Sequence, residues 1–464
     1  MKNKLVVFLM LVGGICFSSC KEDESASYNA VGVDNLELKA VLQAKGYTFD
    51  AEGKMVQDDK VLQTTSLDLS NCSLDNASGL GVFPNLTEVN LSDNQFSKSF
   101  DFSVLPSSVA GVNLTGMNIY EYKGLAKITT AENGDETVAI IHPLTKLYLP
   151  EDAKYDQDQV LAFYEKNETS VKDGIIDMKM QTSSGKLATY NTLRNVPDKN
   201  FRSILKSSFP SLFDGDSLDI SRRLVKPSET GAALTSINMS KYTTAVDNID
   251  GFQYVMNNKG YIGTFVYFAT NKNSSVLYFP VNSDISQLTL DNISTPNGID
   301  FSQAKGLTYL YMHKNSTIES LDLSASTVLG QRGDDAESSS FPDYITILSC
   351  EKIKNISFPS AAKVLGSFEM TNCPSMEKID LSQFETMADL SFGLLPSSCK
   401  IIYLTPKRFI QSIDNGKMIF GIDEDIYNRV ETKTFLDKYH EHLGFGGPTS
   451  GNGATLYVWT RNYK

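Results

Sequence analysis

The chain has little of the side-chain chemistry that enzymes and metal sites use most. Its 464 residues include four histidines and one tryptophan, and the motifs HExxH, GxSxG, CxxC and the Walker A loop are absent from the sequence. His440 and His442 lie two residues apart, where helical side chains diverge by about 200°. The sequence therefore predicts that the protein is not an enzyme and that it binds neither a cofactor nor a metal. A metal bound by His440 and His442 in an extended segment is the alternative.

Basic residues are also scarce. The chain has 42 Lys and Arg against 55 Asp and Glu, and removing residues 1–19 would take away two lysines, which leaves 40 − 55 = −15. Nucleic acids and anionic lipid surfaces are bound by clustered Lys and Arg. The excess of acidic residues therefore argues against both nucleic acids and anionic lipid surfaces as partners. After residue 19, no segment is apolar enough to cross a membrane.

The N-terminus has the layout of an export signal. A positively charged start, the apolar run 5–17 and two serines precede Cys20, and the run is too short to span a bilayer. Residues 17–20 resemble the lipobox of bacterial lipoproteins, which implies removal of residues 1–19 and a lipid anchor on Cys20. An ordinary secreted protein cut near residue 19 is the alternative.

The residues after Cys20 indicate on which side of the outer membrane the anchored protein lies. Lys21, Glu22, Asp23 and Glu24 begin the polar stretch 20–30. This run resembles the signal that carries Bacteroidetes lipoproteins across the outer membrane, which implies a lipid-anchored outer-membrane protein exposed on the cell surface. The membrane would then be contacted through the lipid alone. A solvated linker on a periplasm-facing anchor is the alternative.

Two series of apolar repeats account for much of the remaining chain. In the first series, the frame LxLxxCxL begins at Leu67 and returns at Val89 and again at Val112, the period of a leucine-rich repeat. In the second, one apolar pair in each coil is followed half a coil later by another. The pairs begin at Leu310, Ile345, Phe368 and Leu390, with a polar insertion at 330–340. Each coil is predicted to carry two short strands on opposite sides around a continuous core.

Similar segments precede the two series, which indicates a tandem duplication. Helical spacing occurs at 38–42 and 201–205, and TSLDLS at 65–70 matches TSINMS at 235–240. We predict a first capped domain at 31–181, with a β-hairpin around 132–135 and a helix at 156–167. The Ser/Thr/Gly-rich stretch 182–192 is the predicted boundary. A second domain at 193–405 and a C-terminal cap at 406–464, with a helix at 431–442 and a strand at 454–459, complete the prediction.

Three segments carry a specific family resemblance. The stretches 83–96, 196–205 and 307–324 resemble the leucine-rich-repeat surface lipoproteins of Bacteroidetes, related to the BspA-like group. The resemblance implies two tandem leucine-rich-repeat solenoids with short parallel strands, an irregular or β convex side and small helical caps. It also implies a non-enzymatic binding or adhesion module. Neither 50–53 nor 214–217 completes a calcium-ligand ladder, so calcium is not expected.

Four cysteines follow Cys20. Cys350 and Cys373 occupy equivalent positions of neighbouring coils, where backbones lie about 5 Å apart, within disulfide range. The same position suits a small buried thiol, and Cys72 has no cysteine at an equivalent position next to it. Free buried thiols are therefore favoured over a disulfide.

The outward-facing positions of the two series differ. Those of the first series are small and hydrophilic. In the second, Tyr309, Tyr311 and His313 project from one strand, Tyr344 lies beside Tyr309, and Glu369 follows one coil further. Tyrosines recur at recognition surfaces, so these five residues form the predicted ligand-binding face. A cross-strand aromatic ladder that stabilises the sheet is the alternative.

The resemblance and the face together suggest a protein that binds a macromolecule, either a host or neighbouring-cell protein or a polysaccharide. An accessory glycan-capture lipoprotein of an outer-membrane uptake system is one alternative, and coplanar exposed aromatics would favour it. A hydrolase is a second alternative, and it would need two buried carboxylates facing each other in one cleft.

Overall fold

The computed structural model describes residues 28–463 except 97, 132–135, 225–235, 239–245, 259, 262, 332–342, 410–416 and 446–462. Cys20, the Lys21–Glu24 run, the polar insertion and the predicted strand at 454–459 therefore lie outside, or largely outside, the described residues. Among the described residues, each repeat series has its own hydrophobic core, and Tyr120, Tyr155 and Tyr278 form a third, smaller cluster. We call the two parts the first array and the second array.

The strands of the first array are β1 (Ala30–Val31), β2 (Met55–Val56), β3 (Ser66–Asp68), β4 (Glu88–Asn90), β5 (Ser99–Asp101), β6 (Gly111–Asn113), β7 (Glu121–Lys123), β8 (Ala126–Thr130), β9 (Glu136–Ile140), β10 (Lys146–Leu149), β11 (Asp177–Gln181) and β12 (Leu187–Thr189). Its helices are α1 (Leu36–Ala44), α2 (Asp59–Gln63) and α3 (Gln159–Lys172). Six of the strands form the main sheet, in the order β12-β11-β10-β6-β4-β3, which is parallel except for the edge strand β12.

The strands of the second array are β13 (Leu193–Asn195), β14 (Phe213–Asp214), β15 (Ser217–Asp219), β16 (Ser236–Asn238), β17 (Phe265–Ser275), β18 (Phe279–Pro280), β19 (Gln287–Ser294), β20 (Ile299–Asp300), β21 (Tyr309–His313), β22 (Ser320–Asp322), β23 (Tyr344–Leu348), β24 (Asn355–Ser357), β25 (Val364–Thr371), β26 (Lys378–Asp380), β27 (Thr386–Gly393), β28 (Lys400–Ile402), β29 (Met418–Ile422) and β30 (Leu443–Phe445). Its helices are α4 (Lys199–Ser208), α5 (Phe252–Met256), α6 (Glu424–Tyr427) and α7 (Val430–Tyr439). Nine of the strands form the main parallel sheet, in the order β16-β17-β19-β21-β23-β25-β27-β29-β30.

The repeat frame of the sequence sets the register of both sheets. The apolar frame positions pair directly across neighbouring strands, and each resulting column is buried in the core. Additional strand pairs, β5–β7, β18–β20, β22–β24 and β26–β28, form outside the main sheets. The predicted short parallel strands are thus confirmed, and their stacking is compatible with the predicted repeat fold. The column of the second array contains Leu288, Leu310, Ile345, Phe368, Leu390 and Phe420.

A left-handed turn follows the main strand in most coils. Asp93 and Asn372 have φ values of 58° and 56°, and Ser349 has a φ of 53°. Asparagine and aspartate tolerate this region because their short side chains bond the local backbone. The turn moves the chain out of the sheet at the residue before the Asn or Cys position of the frame, so the sheet stays narrow.

Buried polar groups complete these turns. The Asn94 Oδ1 atom accepts hydrogen bonds from the backbone nitrogens of Cys72 and Leu74, and its Nδ2 atom donates to the carbonyls of Leu69 and Leu91. In two coils of the second array, the thiols Cys350 and Cys373 fill the same position, and all four described cysteines are free. The amide therefore satisfies the backbone of a neighbouring coil, as its buried position requires.

Helix α4, which caps the second array, begins after a residue whose side chain accepts hydrogen bonds from the backbone. Asp198 caps α4 by accepting from the nitrogens of Asn200 and Phe201, and α4 buries Phe201, Ile204 and Leu205. The helix predicted at 156–167 is displaced to Gln159–Lys172. It starts later because the buried Asp156 side chain accepts from the backbone nitrogens of Asp158, just before the helix, and of Val160, in its first turn.

The two arrays contact each other through aromatic residues. Tyr120 of the first array stacks on Tyr278 of the second with ring centroids 3.8 Å apart, and Tyr155 meets both rings edge-on. The Tyr155 hydroxyl donates to Asp250 at 2.8 Å. Leu161 of α3 packs into the core of the second array. The stretch 182–192 contributes β12 to the first sheet and leads directly into β13.

Candidate functional site

Alternating positions of the second sheet point away from its core and form two parallel rows. Strand register aligns them, because each strand pairs in parallel with the next and equivalent repeat positions face each other. The first row is Phe265, Gln287, Tyr309, Tyr344, Ser367 and Asp389, and the second is Tyr267, Thr289, Tyr311, Thr346, Glu369 and Ser391.

One half of this surface is aromatic and partly exposed. The Tyr309 and Tyr344 rings lie 6.0 Å apart with their planes inclined at 51°. Tyr344 is 38% exposed, while Tyr267, Tyr309 and Tyr311 are half-buried. Burial, with the nearby Asp291 and Glu369 carboxylates, raises the pKa of Tyr311 to about 12. Its hydroxyl is protonated at neutral pH.

A histidine–carboxylate pair borders the tyrosines. The His313 Nδ1 atom lies 2.8 Å from the Asp291 Oδ1 atom on the neighbouring strand. The His313 ring meets the Tyr311 ring edge-on at 6.3 Å. This pair fixes the imidazole orientation beside the aromatic rows. We call the set Tyr267, Tyr309, Tyr311, Tyr344 and His313 the tyrosine face.

Glu369 lies on the buried half of the same surface. Its side chain is 4% exposed, and within the described residues its Oε1 atom has no hydrogen-bond partner. Burial, together with Asp389 on the next strand, raises the pKa of Glu369 to about 7. Burial also raises the pKa of Asp389 to about 6. The structure therefore brings Tyr309, Tyr311, His313 and Tyr344 together at the surface, with Glu369 buried beyond them.

Sequence reasoning did not include Phe265, Tyr267, Thr289 and Asp291 in this surface. The missed signal was the regular repeat spacing that leads from Tyr309 back to Gln287 and Phe265. The signal is intact in the sequence, because Val266 and Phe268 precede their partners Leu288 and Leu290 by the same 22 residues. The register shift of β17 comes after these residues, between Ala269 and Ser274.

The matching surface of the first array is polar and internally paired. Lys146 of β10 reaches across Gly111 of β6 to form an ion pair with Glu88 of β4. The Tyr148 hydroxyl donates to Asp177 at 2.5 Å, and Lys179 pairs with the same carboxylate at 2.9 Å. Its charged groups therefore largely satisfy one another.

The remaining histidines have separate partners. His142 is buried with its Nε2 atom 2.8 Å from the Val109 carbonyl oxygen. The His440 Nδ1 atom lies 3.1 Å from the Leu436 carbonyl, and His442 stacks on Phe409. In the part of the chain that the structure describes, no group of three or more His, Cys, Asp or Glu is arranged to hold a metal ion. The described helices are all too short or too polar to cross a membrane.

Comparisons with known proteins give little beyond the geometry. No family model matches the chain, and no curated protein matches it in sequence. A leucine-rich-repeat protein of Leptospira interrogans resembles it at 11% identity and a TM-score of 0.21, over 83% of this chain and 96% of that one. The repeat architecture therefore rests on the strand register described above.

Proposed function

We propose that this protein is a lipid-anchored surface module that binds a protein ligand through the tyrosine face. The observation that carries the proposal is the alignment of half-exposed tyrosines on β17, β21 and β23 of one sheet. Tyrosine offers a large contact area and loses little conformational entropy on binding. A rigid sheet also holds the rings in place before the ligand arrives.

The ring geometry favours a protein ligand over a polysaccharide at this face. A sugar chain stacks on rings that lie in one plane, whereas the Tyr309 and Tyr344 planes are inclined at 51°. Inclined, partly exposed rings suit the uneven surface of a protein. A glycan-capture role through the tyrosine face is accordingly the weaker alternative.

The proposed role is non-enzymatic. The hydrolase alternative would use Glu369 and Asp389, which lie on adjacent strands and have raised pKa values. A glycosidase needs its two carboxylates on either side of an accessible bond. Glu369 is 4% exposed, so a polymer chain has no access to it.

The proposed location rests on the N-terminal sequence. Cys20 is the expected lipid attachment site, and the Lys21–Glu24 run is the expected export signal. Palmitate labelling of the parent and of Cys20→Ala tests the anchor, and protease treatment of intact cells tests surface exposure. Labelling of Cys20→Ala at the parental level would contradict the anchor.

The binding role is tested by probing an array of extracellular host and bacterial proteins with the mature chain. We expect binding that Tyr309→Ala combined with Tyr311→Ala weakens at least 100-fold, since central aromatic anchors carry much of the binding energy. The matched control is Asn90→Ala combined with Asn113→Ala on the first array, which should bind normally. Equal loss in both double variants, or no protein bound, would refute the role.

A further inference from the structure

The charge of the tyrosine face indicates which side chain its protein ligand should carry. The two outward rows are followed on the same face by a third, which consists of Ala269, Asp291, His313, Leu348, Thr371 and Gly393. As described, the three rows contain the carboxylates Asp291, Glu369 and Asp389 and neither lysine nor arginine. Lys314 lies at the turn after β21, outside the rows. The surface around the rings is therefore acidic.

Asp291 is the carboxylate beside the rings that a ligand can reach. Its side chain is 28% exposed, whereas Glu369 is buried. Because a carboxylate only accepts, the His313 Nδ1–H donates to the Asp291 Oδ1 atom. No described residue donates a hydrogen bond to its Oδ2 atom. One oxygen thus holds the imidazole in place, and the other remains for a ligand.

Partly exposed rings lie next to this carboxylate. Burial raises the pKa of Tyr311, and among the charged groups Asp291 adds most to that rise, so the Asp291 carboxylate lies close to the Tyr311 hydroxyl. Tyr267 and Tyr311 lie on the strands on either side of β19, which carries Asp291. All three side chains are half-buried. The face therefore offers aromatic surface and a negative charge at one place.

We propose that the protein ligand docks an arginine side chain on the tyrosine face, against Tyr311 and Asp291. This inference rests on the proposed function and names the chemistry of its partner. A guanidinium stacks on an aromatic ring and donates from the same plane, so one side chain can contact both the ring and the carboxylate. An acidic ligand would meet like charge, and an aliphatic one would cover Asp291 without pairing it.

The test is fluorescence anisotropy of a labelled peptide with three Gly-Ser-Arg repeats, titrated with the purified mature chain at about 150 mM salt. Matched peptides replace arginine with its neutral isostere citrulline, with lysine or with glutamate. We expect the arginine peptide to bind most tightly and the lysine peptide less tightly, because lysine lacks the planar fork. The citrulline and glutamate peptides should not bind measurably. Equal affinity for the arginine and citrulline peptides would overturn the proposal.

Asp291→Asn locates the contact on the protein. Asparagine keeps an acceptor for His313 but removes the charge, so binding of the arginine peptide should weaken about five-fold. The matched control is Asp322→Asn, which removes the same charge from an exposed residue of β22, outside the main sheet. Asp322 also accepts a hydrogen bond through its Oδ1 atom. Equal loss in the two variants would mean general attraction to an acidic protein and would overturn the proposal.

Tyr311→Leu tests the aromatic part of the contact. Leucine keeps apolar bulk but lacks the ring that a guanidinium stacks on, so the arginine peptide should bind about three-fold more weakly. Unchanged affinity would contradict the stack. Failure here is separable from failure of the proposed function. A protein ligand that requires Tyr309 and Tyr311 but binds Asp291→Asn as tightly as the parent would overturn the arginine contact and leave the binding role intact.

Discussion

The two arrays share one repeat plan but present different surfaces. In the first array, the outward-facing charges pair with each other, as Lys146 does with Glu88 and Lys179 with Asp177. In the second, the equivalent rows hold tyrosines at one end and, at the other, a buried Glu369 oxygen that has no hydrogen-bond partner among the described residues. The core plan is therefore the same in both arrays, while the outward positions differ.

Under the proposed function, this difference assigns recognition to the second array. A surface whose charges already satisfy one another gains little from a ligand, because binding must first break those pairs. Half-exposed rings lose little on contact and gain buried area. Stability and recognition can thus be assigned to different positions of the same repeat, since alternate side chains of a strand point to opposite faces.

The largest expected effect concerns the contact that joins the arrays. Tyr278→Ala removes the ring that stacks on Tyr120 and the hydroxyl that donates to Asp300. We expect a loss of about 3–5 kcal/mol in the free energy of unfolding and a split of the melting curve into two transitions. Calorimetry measures both. The control, Tyr344→Ala at an exposed ring, should cost below about 1 kcal/mol, and equal losses would mean that the arrays are not coupled through Tyr278.

The next effect compares the turn positions of the arrays. Asn94→Ala leaves the nitrogens of Cys72 and Leu74 and two carbonyls without their partner, so we expect a loss of about 2–4 kcal/mol. Cys373→Ala removes a thiol that mainly packs, so we expect about 1–2 kcal/mol. Urea unfolding of both variants gives the comparison. A larger loss for Cys373→Ala would reverse the roles assigned to amide and thiol.

The repeat frame could be predicted from sequence because it depends on local alternation. Leu310, Ile345, Phe368 and Leu390 fall in one column, as their spacing indicates. The burial of Glu369 could not be predicted, because alternation places it outward and only tertiary contacts decide its exposure. The stack of Tyr120 on Tyr278 was equally hidden, since it depends on how two arrays meet. The coil that contains Tyr267 could have been predicted, because Val266 and Phe268 keep the repeat spacing and the register shift of β17 lies beyond them.

Glu369 gives a pH-dependent test of the second array. Its pKa is raised from 4.5 to about 7 in the folded protein, so the folded state holds its proton more tightly than the unfolded chain does. Below pH 4.5 both states are protonated and burial carries no ionic penalty. As the pH rises from about 4.5 to 7, stability from this group is lost, and the loss stays constant above pH 7.

Glu369→Gln should therefore match the parent near pH 4.5 and exceed its stability at pH 8 by about 1–2 kcal/mol, allowing for screening. Urea unfolding across this pH range measures the difference. Glu377→Gln, at an exposed glutamate, is the control and should follow the parent curve. A Glu369→Gln variant that is less stable than the parent at pH 8 would show that the ionised carboxylate is stabilised in the fold.

The smallest effect is expected in the first array, where an ion pair lies at the surface. Lys146→Gln removes the partner of Glu88, and both side chains are about a third or more exposed. Solvent screens such pairs, so the loss should stay below about 1 kcal/mol and vanish in about 1 M salt. Lys305→Gln on the exposed surface of the second array is the control. A loss that is well above that of an exposed ion pair and does not change with salt would show that the charges of the first array hold its sheet together. The proposed division between a paired surface on the first array and a recognition surface on the second would then fail.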